Sequence, residues 1–109
     1  MKKSVLECFF ASIYIDWASI TLSKFKILVV GDKNDARLLI HRQLKSMGFE
    51  KIVLAKERRK ALDEMFLTRF YLIIADWDMP GMDGLSFYKN IQANLKFQDI
   101  PFLLLTAQN

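Results

Sequence analysis

The sequence predicts an α/β fold: a doubly wound parallel sheet of about four strands, with an extra N-terminal helix. Three observations lead there. From Phe25 onward, short apolar runs alternate with stretches whose apolar residues recur at helical spacing, the mark of strands joined by crossover helices rather than of segregated α and β parts. The run from Tyr71 to Asp76 is apolar almost throughout, as suits a strand covered on both faces of a parallel sheet. The chain has 109 residues, 52% of them hydrophobic, which is room for one domain with a substantial core.

Taken in order, Phe25 to Gly31 forms the first strand. Leu38, Leu39, Leu44 and Met47 mark the inner face of a helix over about 34–47, with Asn34 or Asp35 as its cap and Gly48 ending it. Lys51 to Ala55 is a short second strand, and the helix after it turns Leu62, Met65 and Phe66 inward. Tyr71 to Asp76 is the third strand. Leu85 to Leu95 forms a helix carrying Leu85, Tyr88, Ile91 and Leu95 on one side, and Pro101 to Thr106 is the fourth strand. Right-handed crossovers follow from the alternation. No repeat, low-complexity tract or interdomain linker interrupts it.

Residues 1–24 form a separate extension. Lys2 and Lys3 followed by an apolar stretch resemble a signal sequence superficially, but Glu7 and Asp16 leave only Cys8 to Ile15 uncharged between them. A membrane span needs about 20 apolar residues, so none is expected. Val5, Phe9, Ile13 and Trp17, with Leu6, Phe10 and Ile20 beside them, recur at helical spacing and predict an amphipathic helix. Basic residues do not line its polar face, which favours a packing helix, or an extension upstream of the natural start, over a membrane-surface anchor. The formal charge is +4, yet the basic residues are scattered and cluster only at Lys56, Arg58, Arg59 and Lys60; specific nucleic-acid binding is not expected. Cys8 is the single cysteine, so no intramolecular disulfide can form, and a cytoplasmic location fits.

The chemistry is expected where the third strand ends. Asp76 closes the apolar run, and Pro80, Gly81 and Gly84 break the strand after it, placing Asp76, Asp78 and Asp83 in or beside a loop at a strand's carboxyl end, where open α/β sheets hold their sites. Asp32 ends the first strand in the same way, in ILVVGD. Adjacent parallel strands bring both acids to one edge, and two close carboxylates repel unless a cation lies between them. Oxygen ligands alone suit Mg²⁺, which accepts a few protein oxygens and keeps several waters. Thr106, in FLLLTA, adds a hydroxyl. A carboxylate nucleophile, a hard cation and a hydroxyl donor are the parts needed to accept a phosphoryl group. Taken singly the acids have plainer roles: Asp32 as a helix cap, Asp78 and Asp83 as solvated loop residues. His41 reads as a helix-surface histidine. A calcium loop is excluded because Pro80 and Phe87 stand where oxygen ligands belong.

The run DWDMPGMDG after an apolar strand, with Asp32 44 positions before Asp76 and Thr106 30 positions after it, resembles the receiver domain of two-component response regulators, especially the chemotaxis type. The resemblance covers Phe25 to Asn109. It implies a flavodoxin-like sheet, Asp76 as phosphoacceptor, and Mg²⁺ held by Asp32, Asp76 and the backbone carbonyl of Asp78. Thr106 is implied as the switch hydroxyl and Ala107 as its small neighbour. The implied reaction is transfer from the phosphohistidine of a histidine kinase, or from a phosphotransfer protein. The sequence departs from the pattern in three places. Gly31 stands where receivers usually carry a first acid, Asp78 occupies a variable position, and the chain ends before the family's fourth helix, fifth strand and last helix. Residues 25–109 are therefore expected to be a partial receiver domain. A pseudo-receiver that binds proteins without phosphorylation is the second reading. A haloacid-dehalogenase-type phosphatase is the third, suggested by Asp76-Trp77-Asp78 and opposed by Met79-Pro80 and the two strands that precede the motif.

Overall fold

The structure, a computed structural model, describes residues 22–76 and 83–105. The predicted helix over residues 1–21, and the predicted site residues Asp78, Thr106 and Ala107, lie outside the described residues. Among the described residues four strands and three helices alternate: β1 (Lys26–Val30), α1 (Asn34–Met47), β2 (Lys51–Ala55), α2 (Arg58–Leu67), β3 (Leu72–Asp76), α3 (Gly84–Gln92) and β4 (Phe102–Leu105). All neighbouring strands are parallel, in the order β2-β1-β3-β4.

The apolar runs are uninterrupted because the sheet is covered on both sides. In β1, Ile27, Leu28 and Val29 are wholly buried and Val30 nearly so, each side chain contributing about 1.5–3 kcal/mol relative to exposure. Alternation sorts these residues into two layers. Leu28, Val30, Ile73 and Ala75 pack with Ala61 and Met65 of α2 and Phe87 and Ile91 of α3. Ile27, Val29 and Ile74 pack with Leu44 of α1 and with Phe49. One helix thus lies on one face of the sheet and two lie on the other.

Four residues placed on apolar helix faces are exposed. Leu38 and Leu39 of α1 are 47% and 55% exposed; Ile40, Leu44 and Met47 make the inner stripe instead, and Leu38 sits about 200° around the helix from Ile40. Phe66 is exposed because Ala61, Leu62 and Met65 fill the inner side of α2; its ring meets Phe97 edge-on at 5.0 Å between centroids. Leu95 is exposed because α3 ends at Gln92. Past that point the side chain of Asn94 accepts a hydrogen bond from the Lys96 N–H at 2.8 Å, a local turn that competes with helix continuation. Phe87, Phe97 and Ile100, none of which carried the predicted pattern, complete this layer.

The termini of α1 also differ in part from expectation. Lys33 is the N-cap and caps through no side chain, while the Asn34 Oδ1 accepts from the Arg37 guanidinium. Gly48 does end the helix, at φ 110° and ψ −1°, and the Phe49 N–H reaches back to the Leu44 carbonyl at 3.1 Å. That left-handed turn carries Phe49 into the core. Gly48→Ala is expected to lower stability by about 1–2 kcal/mol, the cost of holding a Cβ in the left-handed region, as measured by urea unfolding.

Candidate functional site

The strand order reverses direction between β1 and β3: from β1 the chain goes outward to β2, then crosses back to β3 on the other side. In open α/β sheets such a reversal, at the carboxyl ends of the two neighbouring strands, is the position at which ligands bind. The β1–β3 register pairs Val30 with Ala75, so the next residues, Gly31 and Asp76, stand side by side at that edge. Gly31 extends the ladder on its other side, its N–H donating to the Ala55 carbonyl at 3.0 Å. A Cβ on Gly31 would lie 3.5 Å from the Asp76 Cβ and 4.0 Å from its Oδ2. Asp76 is half-buried, and on its far side it pairs with Leu105 of β4.

Asp32, the next residue after Gly31, caps no helix. Its Oδ1 is buried and has no hydrogen-bond partner among the described residues. Removing a carboxylate oxygen from water without a donor is costly, and a cation at the sheet edge would offset that cost. The observation fits a hard divalent ion held between Asp32 and Asp76 with water filling its remaining positions. Among the described residues no group of three or more His, Cys, Asp or Glu side chains is gathered in one place; the described protein ligands for such an ion are these two acids.

Arg37 belongs to this edge and sequence reasoning did not single it out. From the first turn of α1 its guanidinium donates to the Gly31 carbonyl and to the Asn34 Oδ1, tying the β1–α1 loop to the helix. Its Cγ would lie 3.8 Å from a Cβ on Gly31. The only trace in the sequence is the Asn34–Arg37 spacing of three, which places the two side chains on one helix face. Asp83 also takes a role other than the one expected. Instead of a solvated loop acid it is the N-cap of α3, its Oδ1 accepting from the Ser86 N–H at 2.6 Å. The Ser86 backbone hydrogen bond is the main cause holding its carboxyl below the ordinary aspartate value. The Ser86 side chain, the Leu85 N–H and the Lys89 charge act in the same direction, and desolvation opposes them. Asp76 and Asp83 thus bracket the loop that follows β3, one ending a strand and the other starting a helix.

The model of the response regulator receiver domain matches residues 27–109. The chain belongs to that family. Curated relatives of this receiver domain include a probable chemotaxis protein CheY of Rhizobium etli, 34% identical over 85 residues, which span 78% of this chain and 66% of the relative. Another is chemotaxis protein CheY-3 of Vibrio cholerae, 34% identical over 83 residues, 76% of this chain and 64% of the relative. The chain therefore spans 64–66% of the length of these curated relatives. Among solved structures, the chemotaxis response regulator CheY4 of Vibrio cholerae superposes with a TM-score of 0.70 at 30% identity, over 78% of this chain and 70% of that one. The response regulator TrrA of Thermotoga maritima, solved in complex with Mg²⁺-BeF, gives a TM-score of 0.70 at 34% identity, covering 78% and 71%. The fold is the flavodoxin-like sheet of receiver domains, of which four strands are present here. Among the described residues no helix is long and apolar enough to cross a membrane.

Because the carboxyl of Asp83 is held below its ordinary value in the folded state, its charged cap stabilises α3 at neutral pH and loses that effect as pH falls through the folded value. Asp83→Ala is expected to lower the thermal midpoint at pH 7, with the gap to the parent protein narrowing in acid; a pH series of melting curves by circular dichroism measures it.

Proposed function

We propose that this receiver domain accepts a phosphoryl group on Asp76 from the phosphohistidine of a histidine kinase or phosphotransfer protein, with Mg²⁺ as its cofactor. The observation that carries the reading is the buried Oδ1 of Asp32, without a hydrogen-bond partner among the described residues, at the same sheet edge as Asp76, where β1 and β3 adjoin. A carboxylate oxygen of Asp76 attacks the phosphorus in line, the phosphorus–nitrogen bond breaks, and the donor imidazole leaves with its electron pair. Mg²⁺, when bound, neutralises negative charge that gathers between the carboxylates and the phosphoryl oxygens. Asp32 and Asp76 would hold it directly, and the Asp78 backbone carbonyl would complete the protein's share. The Thr106 hydroxyl would donate to a phosphoryl oxygen, with Ala107 leaving room for it. The half-burial of Asp76 supports this role, since the residue is positioned by the sheet yet open at the edge. The TrrA relative was solved with Mg²⁺-BeF, in line with this chemistry. The domain acts as a signalling phosphoacceptor, not as a turnover enzyme, and works in the cytoplasm.

Intact mass after incubation with a small acyl phosphate and Mg²⁺ tests the reading. A phosphoryl adduct should form on the parent protein and vanish in Asp76→Asn. A folded protein that forms no adduct would support the alternative of a pseudo-receiver, for which the absence of a side chain at Gly31 is the specific reason.

The Gly31 position itself makes a second test. A Cβ there meets only ordinary van der Waals contacts at 3.5–4.0 Å, and its φ is not positive, so Gly31→Asp should fold. A third carboxylate beside Asp32 and Asp76 should raise Mg²⁺ affinity by about ten- to a hundredfold, the scale on which outer ligands tune metal sites, as read by isothermal titration calorimetry. Without Mg²⁺ the variant's thermal midpoint should fall through carboxylate repulsion.

A further inference from the structure

We propose that residues 8–21 of this chain dock as a helix into the groove beside α1, on the sheet face that carries only one described helix. The inference stands apart from the phosphorylation reading. Three observations support it.

The described residues cover this face less fully than the other. A groove of about 280 Å³ runs between α1 and the sheet; Val29, Val30, Ala36, Leu39, Ile40 and Leu105 supply its apolar wall, and Gly31, Lys33, Arg37, Gln43 and Asp76 also line it. Leu39 is 55% exposed and Leu103 is 47% exposed; Leu103 shares its face with Leu105, two residues on in β4. The opposite face carries α2, α3 and the inward side chains of Phe97 and Ile100.

The chain enters β1 from this face. Leu22, the first described residue, is buried against Ile27, Val29, Leu44 and Ile74, all in the α1-side layer. The Phe25 N–H donates to the Leu22 carbonyl at 3.3 Å, a turn that reverses the chain immediately before β1. The proposed helix would continue from this turn on the α1 side, back along β1 toward the Asp76 end.

Length and pattern match. Five residues of β1 cover about 17 Å, and 14 helical residues cover about 21 Å, so residues 8–21 reach from Leu22 to Leu105. Phe9, Ile13, Trp17 and Ile20 form a continuous apolar stripe at helical spacing, suited to a groove whose walls are mostly aliphatic. With Leu22 already anchored, docking is an intramolecular step at high effective concentration, which favours this segment over the same segment of a second copy.

Trp17 reports on the outcome in a full-length Trp77→Phe background, where it is the one remaining tryptophan. The proposal expects the emission of a buried indole, independent of protein concentration and shifted to longer wavelength by Leu39→Glu and by Leu103→Glu. Both altered residues are about half-exposed, so far-ultraviolet circular dichroism should be unchanged. If either groove variant fails to fold, Ile13→Glu leaves the groove intact and should expose Trp17 in the same way. Trp17→Ser should lower the thermal midpoint by about 4 °C or more. Solvent-exposed emission in the parent, emission indifferent to all three glutamate variants, or burial that appears only as the sedimenting mass doubles would each overturn the proposal.

Discussion

The parallel pairing of β1 with β3 is the interaction on which the rest of the molecule depends. It begins where the Tyr71 N–H donates to the Lys26 carbonyl at 2.7 Å and where the Phe25 and Tyr71 rings stack at 4.0 Å between centroids. From there the register runs without a bulge through Ile27–Leu72 to Val30–Ala75. Because side chains alternate with a period of two, a slip of one residue would turn the α1-facing residues Ile27, Val29 and Ile74 toward α2 and α3 and break both packed layers at once. Burial on the two faces thus fixes the register, and the register delivers Gly31 and Asp76 to neighbouring positions.

What stands at that edge is an unequal balance of charge. Among the described residues Asp32 presents a buried oxygen without a donor, Asp76 is close to the Gly31 backbone, and the nearby cationic side chain of Arg37 is engaged with the Gly31 carbonyl and Asn34. Arg37 therefore holds the loop in shape more directly than it neutralises the acids. The proposed Mg²⁺, a small ion that keeps its own waters, suits such an edge because it can approach carboxylate oxygens without new protein structure. Gly31 leaves this balance one carboxylate short of the usual receiver arrangement. In its place a Cβ would meet only ordinary van der Waals contacts, at a backbone conformation that any residue can adopt. The departure is one of ligand count and leaves the geometry of the edge unchanged.

Much of this was legible in the chain itself. The four strands appear within about one residue of their expected ends among the described residues, because buried parallel strands require continuous apolar runs. Gly48 was legible as a helix terminator because few residues tolerate its left-handed backbone. The motif around Asp76 was legible because strand, acid and turn formers follow each other without a gap. Helix faces were read less well. Leu38, Leu39, Phe66 and Leu95 are all apolar and near helical spacing, yet each is exposed, since a stripe that wraps too far around a helix does not say which of its margins meets the sheet.

The sequence by itself determined the strand and helix order, the parallel sheet, the two acids that end β1 and β3, and the glycine that interrupts the usual acid pair, because each is a property of local pattern. Only the tertiary structure decided which acid caps a helix and which is left without a donor among the described residues. Asp83 caps α3, while Asp32 lies beside an N-cap that belongs to Lys33. Hydrogen-bond satisfaction depends on where neighbouring backbone groups end up in space, and no local pattern records that. The same holds for Arg37, whose bond to Gly31 exists only once β1 and α1 have folded against each other, and for the groove beside α1, which is a space between elements and has no sequence of its own.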